Sequence, residues 1–258
     1  MPPENAIILL YSISMFTKKN DIYSIDTGAD PVIAFAGKSA NPVDYRLNHL
    51  RIRQNEKKFL CSVTSLEKKN IIFINQVHGD RIKVFDAIPE KDLPTAGEAD
   101  AMITNQPGLC LVIRTADCVP VFLFDNSKQI LGAIHSGWKG TLLEITRKTL
   151  RMMVFVFGTD PADIKAYILP SIGPESYQVN RDVFDLFNRG RHESAGNLYL
   201  DLWENIGLSL VDEGVRAKNI FNSGICTHRH NNEFYSHRCG DQGRNLNFGF
   251  MNSYCKLF

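Results

Sequence analysis

Residues 115–141 read TADCVPVFLFDNSKQILGAIHSGWKGT, and this stretch decides the fold class. Residues 119–124 and 130–134 are short runs rich in Val, Ile, Leu and Phe, the length and composition of buried strands, and the polar DNSKQ between them reads as a turn. Beyond the second run lie two glycines and then a pattern that predicts a helix from about Thr141 to Phe157. Leu143, Leu150, Val154 and Phe157 fall on one face, Thr141 is placed to act as N-cap and Gly158 as C-cap.

Working outward, residues 71–77, 109–114, 164–169 and 220–225 are further strand candidates. A second helix is expected over 202–213, with Asp201 as N-cap, Trp203, Ile206 and Leu210 at helical spacing, and Gly214 as the stop; a shorter one is expected over 181–188. Strands and helices mix without regular alternation, which points to an α+β fold with mixed β-sheets flanked by helices. No GxGxxG follows a strand, so a dinucleotide fold lacks its signature. No repeat or low-complexity linker divides the chain, and residues 1–258 are expected to form a single domain.

Composition narrows the function. Lys and Arg (29) nearly balance Asp and Glu (28) for a net charge of +1, with no Lys/Arg clustering, so no nucleic-acid partner is expected. The apolar stretch 6–16 is too short to span a bilayer and follows Glu4 rather than a basic cluster, so neither a membrane span nor a signal peptide is expected. Six cysteines without a CxxC pair fit a reducing, cytoplasmic setting.

Three soft ligands sit at expected strand exits: His78 ends IIFINQVH, Cys118 lies in the TADC turn and His135 ends ILGAIH. Two imidazoles and a thiolate suit zinc (Zn2+) or copper (Cu2+) and leave a position for water or substrate. Read singly, a His at a strand end is more often a hydrogen-bonded structural residue, and a Cys beside Val119 and Pro120 more often a small buried hydrophobe. The HSGWKGT segment either holds an anion against its backbone N–H groups or is a tight turn with Gly at positive φ. Trp138 either stacks on a planar ligand or packs in a loop. Arg238 and Arg244 either bind phosphate or ribose oxygens or form surface salt bridges. Asp117 either orients a ligand or caps its turn. The His- and Cys-rich stretch 226–239 is either a second metal site or a polar loop returning over the first.

In order along the chain, QVHG (76–79), EADAMIT (98–104), TADCVPVFLFD (115–125), HSGWKGT (135–141), SIGPESYQV (171–179) and FYSHRCGDQGR (234–244) resemble the motifs of the bacterial YfiH/YlmD-like family, described as laccase-domain or polyphenol oxidase proteins. The resemblance implies a YfiH-like fold related to the α/β/β/α folds of cysteine hydrolases. It implies that His78, Cys118 and His135 are zinc ligands and catalytic residues. Loops around Trp138, 172–177 and 238–244 are implied to border a purine-nucleoside pocket, with Trp138, Lys139, Arg238 and Arg244 as substrate contacts. The implied activity is purine nucleoside phosphorolysis with adenosine deamination, on adenosine, inosine and 5′-methylthioadenosine, with phosphate or zinc-activated water as the attacking partner. Where the family's N-terminal part has an Asn-Arg pair this chain has Asn48-His49, so the arginine the resemblance implies there is either replaced by Arg46 or Arg51 or missing. The alternatives are copper-dependent oxidation of phenols, for which seven histidines are few; hydrolysis with Cys118 as a nucleophile activated by His135; and a non-catalytic, zinc-stabilised binding protein.

Overall fold

The structure, a computed structural model, describes residues 16–28, 30–40 and 43–252; most of the apolar stretch 6–16, and Cys255, lie outside the described residues. In chain order the first strands are β1 (Phe16–Lys19), β2 (Ile22–Ile25), β3 (Val32–Ala36), β4 (Ile71–Phe73), β5 (Ile82–Phe85) and β6 (Ala101–Thr104). Next come β7 (Cys110–Thr115), β8 (Val119–Asp125), β9 (Ile130–Ser136) and β10 (Ile164–Ile168). The last are β11 (Gln178–Val179), β12 (Arg191–Ser194), β13 (Asn197–Leu200), β14 (Ile220–Asn222) and β15 (Asn245–Phe250). The helices are α1 (His49–Thr64), α2 (Trp138–Leu142), α3 (Ile145–Phe157), α4 (Arg181–Phe184) and α5 (Leu202–Asp212).

One six-stranded sheet runs β14-β10-β8-β9-β6-β5 and a second runs β1-β2-β3-β15-β7-β4, with a small β11-β13-β12 sheet beside them. Both large sheets are mixed: β10/β14, β5/β6 and β4/β7 are parallel, and the other pairs are antiparallel. The period of two along β8 explains the layering. Phe122 and Phe124 point between the sheets and meet Phe35, Leu111 and Ile113. Val121 and Leu123 point the other way, toward Leu150 and Met153 of α3 and Ile206 and Leu210 of α5. The outer face of the second sheet, through Val112, Phe248 and Phe250, takes Leu60 of α1. The fold is therefore α+β with helices outside two facing sheets, and each fully buried Phe contributes roughly 1.5–3 kcal/mol.

All six strand candidates are present. The expected 141–157 helix is two, because Glu144 adopts a left-handed φ of 60° between α2 and α3. Gly137, not Thr141, is the residue that precedes α2; Thr141 lies inside it, and its hydroxyl meets that of Ser136 at 2.9 Å. Asp201 caps α5 as expected, accepting from the Glu204 N–H at 2.8 Å, whereas α4 covers only the first turn of the 181–188 segment. The long helix α1 carries no sequence signal of comparable strength, since RIRQNEKK is polar on most sides. No helix among the described residues is long and apolar enough to cross a membrane.

Candidate active site

The β8/β9 register sets Val119 opposite Ser136 and Pro120 opposite His135. One step further along, Cys118 and Gly137 face each other where the strands end. A Cβ on Gly137 would lie 2.8 Å from Cys118 Sγ and 3.4 Å from His78 Cδ2, so glycine is required there by close approach. Its φ is −77°, and the expected positive φ at this turn is not found. Gly137→Ala is accordingly expected to displace Cys118 Sγ and weaken metal binding at least about tenfold, readable by competition with a chromogenic chelator. An unchanged zinc affinity would show that the site tolerates a methyl group.

His78 lies in the loop that follows β4, exposed and in the left-handed region at φ 60°. What holds that loop is Asp100, a fully buried carboxylate immediately before β6. Its Oδ2 accepts the N–H groups of Val77 (3.2 Å) and Gly79 (2.7 Å), and its Oδ1 accepts that of His78 (2.9 Å). Oδ1 also accepts from His135 Nδ1 at 2.8 Å. A carboxylate only accepts, so the His135 proton sits on Nδ1 and Nε2 is turned to the site. Burial works against the charged form of Asp100, yet the bonds from His135 and from the Gly79 and His78 amides hold it below the usual carboxylate range.

The ligand atoms of His78, Cys118 and His135 lie within 4.8 Å of one another, and no other three-ligand cluster of this kind occurs among the described residues. The two imidazole rings meet edge to face with centroids 4.8 Å apart. Burial opposes a thiolate at Cys118, but the facing His135, with His78, brings it down to about 6. Burial likewise opposes an imidazolium at His135, but Cys118 and Asp100 bring it up to about 9. A thiolate and two imidazoles converging on one point, with a carboxylate behind one imidazole and room kept by Gly137, fit a zinc or copper ion.

The cluster opens into a cavity of about 610 Å³. Ile172, Tyr177, Trp138 and Leu202, from the layer that packs with α5, supply apolar and aromatic lining. Burial pushes the Tyr177 phenol up to about 12, and the Arg238 guanidinium lies over its ring at 5.5 Å. Trp138, Arg238 and Arg244, which the resemblance implies as substrate contacts, border the cavity. Lys139 does not: it is exposed, with Nζ 5.5 Å from the Trp138 ring centroid. Neither Arg46 nor Arg51 lines it, Arg46 being exposed and paired with Asp44 at 2.9 Å; the arginines found there instead are Arg53 of α1 and Arg114 of β7.

Asp117 orients no ligand. Its Oδ1 accepts the Thr227 hydroxyl at 2.6 Å and its Oδ2 the Arg238 N–H at 3.0 Å, so it ties the C-terminal loop to the Cys118 turn. The ligand-orienting carboxylate is Asp100, whose only sequence signal is its place in EADAMIT. Within 226–239, Cys226 Sγ accepts the Gly173 N–H at 3.2 Å, His230 Nδ1 meets the Cys226 carbonyl at 3.0 Å, and Cys239 is turned to the His228 carbonyl. These groups do not converge, and the stretch reaches the cavity through His237 and Arg238.

The family model described as multi-copper polyphenol oxidoreductase laccase matches residues 44–252. Proteins named purine nucleoside phosphorylase are similar over most of the chain. One from Bacteroides thetaiotaomicron is 32% identical over 201 residues, covering 73% of this chain and 74% of its own. One from Deinococcus radiodurans is 33% identical over 220 residues, 81% of this chain and 83% of its own. Among solved structures, the YfiH protein of Bacillus licheniformis superposes with a TM-score of 0.81 at 26% identity, covering 92% of this chain and 99% of that one. YlmD of Geobacillus stearothermophilus shares the fold with a TM-score of 0.83 at 24% identity, covering 93% of this chain and 99% of that one. With its motifs, its two-sheet fold and its His-Cys-His cluster all in agreement, the chain belongs to the YfiH/YlmD family of laccase-domain proteins, whose curated relatives carry the name purine nucleoside phosphorylase.

Proposed function

We propose that this chain is a zinc-dependent purine nucleoside phosphorylase that also deaminates adenosine, acting on adenosine, inosine and 5′-methylthioadenosine. The observation that carries this reading is the convergence of His78, Cys118 and His135 on the wall of a cavity with aromatic and arginine lining. The names of the relatives support its phosphorylase part. His78, Cys118 and His135 would hold the ion, which when bound supplies Lewis acidity that makes water nucleophilic near neutral pH. Asp100 keeps the His135 proton on Nδ1 and so leaves the Nε2 lone pair to bind the ion. Trp138 and Tyr177 offer ring faces to a purine, and Ile172 and Leu202 exclude water from it. The arginines stabilise negative charge as the C1′–N9 bond breaks and a phosphate oxygen bonds to C1′. Deamination instead adds water at C6 and releases ammonia, and needs no second nucleophile.

The test is product analysis on adenosine with and without phosphate. Adenine and ribose 1-phosphate are expected only with phosphate, and slow inosine formation is expected to persist without it. Phosphate-independent release of adenine would assign a nucleoside hydrolase instead. Zinc is expected at about one per chain after purification without added metal; copper in its place, with phenol oxidation, would favour the oxidase.

A second reading has its own observation. Cys118, His135 and Asp100 are linked as nucleophile, base and orienting carboxylate, the arrangement of a cysteine hydrolase. In that arrangement His78 serves neither as base nor as orienting group and only helps to lower the Cys118 thiol, whereas it completes a metal site.

A further inference from the structure

We propose that Arg53 and Arg114, both held by the buried carboxylate of Glu56, form with Arg244 on the same cavity wall the seat of inorganic phosphate; the proposal rests on the phosphorylase reading. Glu56 of α1 is fully buried. Its Oε1 accepts Arg114 Nε at 2.9 Å and its Oε2 accepts Arg53 Nη1 at 3.1 Å, so one carboxylate fixes two guanidinium groups and engages one nitrogen of each. The Tyr45 hydroxyl, 3.0 Å from the Arg244 backbone carbonyl and 3.2 Å from Glu56 Oε1, ties the Arg244 backbone to the same cluster, while Arg244 Nη1 donates to the Gln242 and Gly243 carbonyls. All three arginines line the cavity.

The cluster is built into the edge of the metal site. Arg114 stands on β7 just before the TADC turn, and the Gln76 side chain clamps its backbone. Gln76 Nε2 donates to the Arg114 carbonyl at 2.8 Å, and Oε1 accepts the Arg114 N–H at 2.9 Å. Gln76 is two residues from His78, so the same loop sets a metal ligand and an arginine. Arg53 and Arg114 set two guanidinium charges against the one buried carboxylate of Glu56, and that surplus at the cavity wall calls for an anion. The surplus is felt by its members: burial and then the charge of Arg114 bring Arg53 down to about 10 and lower Arg244 as well. Guanidinium forks match phosphate oxygens in pairs, which a lysine cannot do. The HSGWKGT turn competes poorly for this role, because its Lys139 is exposed outside the cavity and the Thr141 N–H is spent on the Gly137 carbonyl at 2.8 Å.

The experiment is calorimetric titration of the zinc-loaded protein with inorganic phosphate, repeated on Arg53→Gln, Arg244→Gln, Arg114→Lys and Lys139→Gln, each checked for folding by its urea midpoint. Arg53→Gln and Arg244→Gln are each expected to raise the phosphate Kd at least about tenfold, which is about 1.4 kcal/mol, and to raise KM for phosphate more than KM for adenosine. Arg114→Lys keeps the charge and loses the fork, and a rise of about threefold or more is expected. If Arg53→Gln does not fold, Arg244→Gln and Arg114→Lys decide the matter. Unchanged phosphate affinity in the folded variants overturns the proposal, as does a wild-type protein that takes up no phosphate at about 10 mM, or loss of binding confined to Lys139→Gln. If binding is lost as expected but adenosine yields no ribose 1-phosphate, the seat stands and the phosphorylase reading fails.

Discussion

Cys118→Ser is expected to lose most of its zinc on dialysis and to lower turnover by more than about 100-fold. A neutral hydroxyl is a far poorer zinc ligand than a thiolate, and loss of an outer partner alone costs roughly 10–100-fold. A nucleophilic Cys118 would also lose turnover, so the decisive arm is chelation. Removing zinc from the wild-type protein is expected to abolish turnover and adding it back to restore it. Full activity in folded, zinc-free protein would instead make Cys118, His135 and Asp100 a hydrolytic triad. The pH dependence has a definite sign in both cases. In metal-free protein the thiolate–imidazolium pair persists between about 6, where Cys118 takes its proton, and about 9, where His135 loses its own. Zinc has to displace the His135 proton below about 9 and the Cys118 proton as well below about 6, so its affinity is expected to fall as pH drops through about 9 and more steeply below about 6.

Asp100→Asn is the second large effect. The carboxylate receives four N–H groups: three from the backbone of Val77, His78 and Gly79, and one from His135 Nδ1. An amide in either orientation points its NH2 at two of them, which sets donor against donor in a buried site. Zinc affinity is expected to fall about 10–100-fold and stability by about 2–4 kcal/mol, read by chelator competition and by urea unfolding. Because Asp100 is held below its ordinary range, its stabilising share is present above the unfolded carboxylate pKa and is lost as pH falls through the folded value; Asp100→Asn should flatten that acid limb. A variant with wild-type zinc affinity and midpoint would reduce Asp100 to a bystander and leave the left-handed backbone at His78 to be held by something else.

The sequence by itself determined the strands that bury both faces, β7 to β10, because two-sided burial demands unbroken apolar runs such as VFLF and ILGAI. It determined α5 with its Asp201 cap, and, through motif resemblance, the family and the three ligand candidates. It left α1 unread, since that helix buries Ile52 and Leu60 but otherwise carries the charged residues that build Glu56, Arg53 and their partners. β15 was likewise unread: Leu246, Phe248 and Phe250 face outward to α1, while Asn245, Asn247 and Gly249 alternate with them and break the apolar run. Only the tertiary structure decided which carboxylate serves His135, which arginines reach the cavity and why position 137 is glycine. Each of these is a contact between segments far apart in the chain. Asp100 meets His135 through the pairing of β6 with β9 and residues 77–79 beside the Asn75–Glu98 bridge, and Gly137 meets Cys118 through the register of β8 with β9. Local periodicity reports which face of a strand is buried; it carries no record of what the neighbouring strand places opposite.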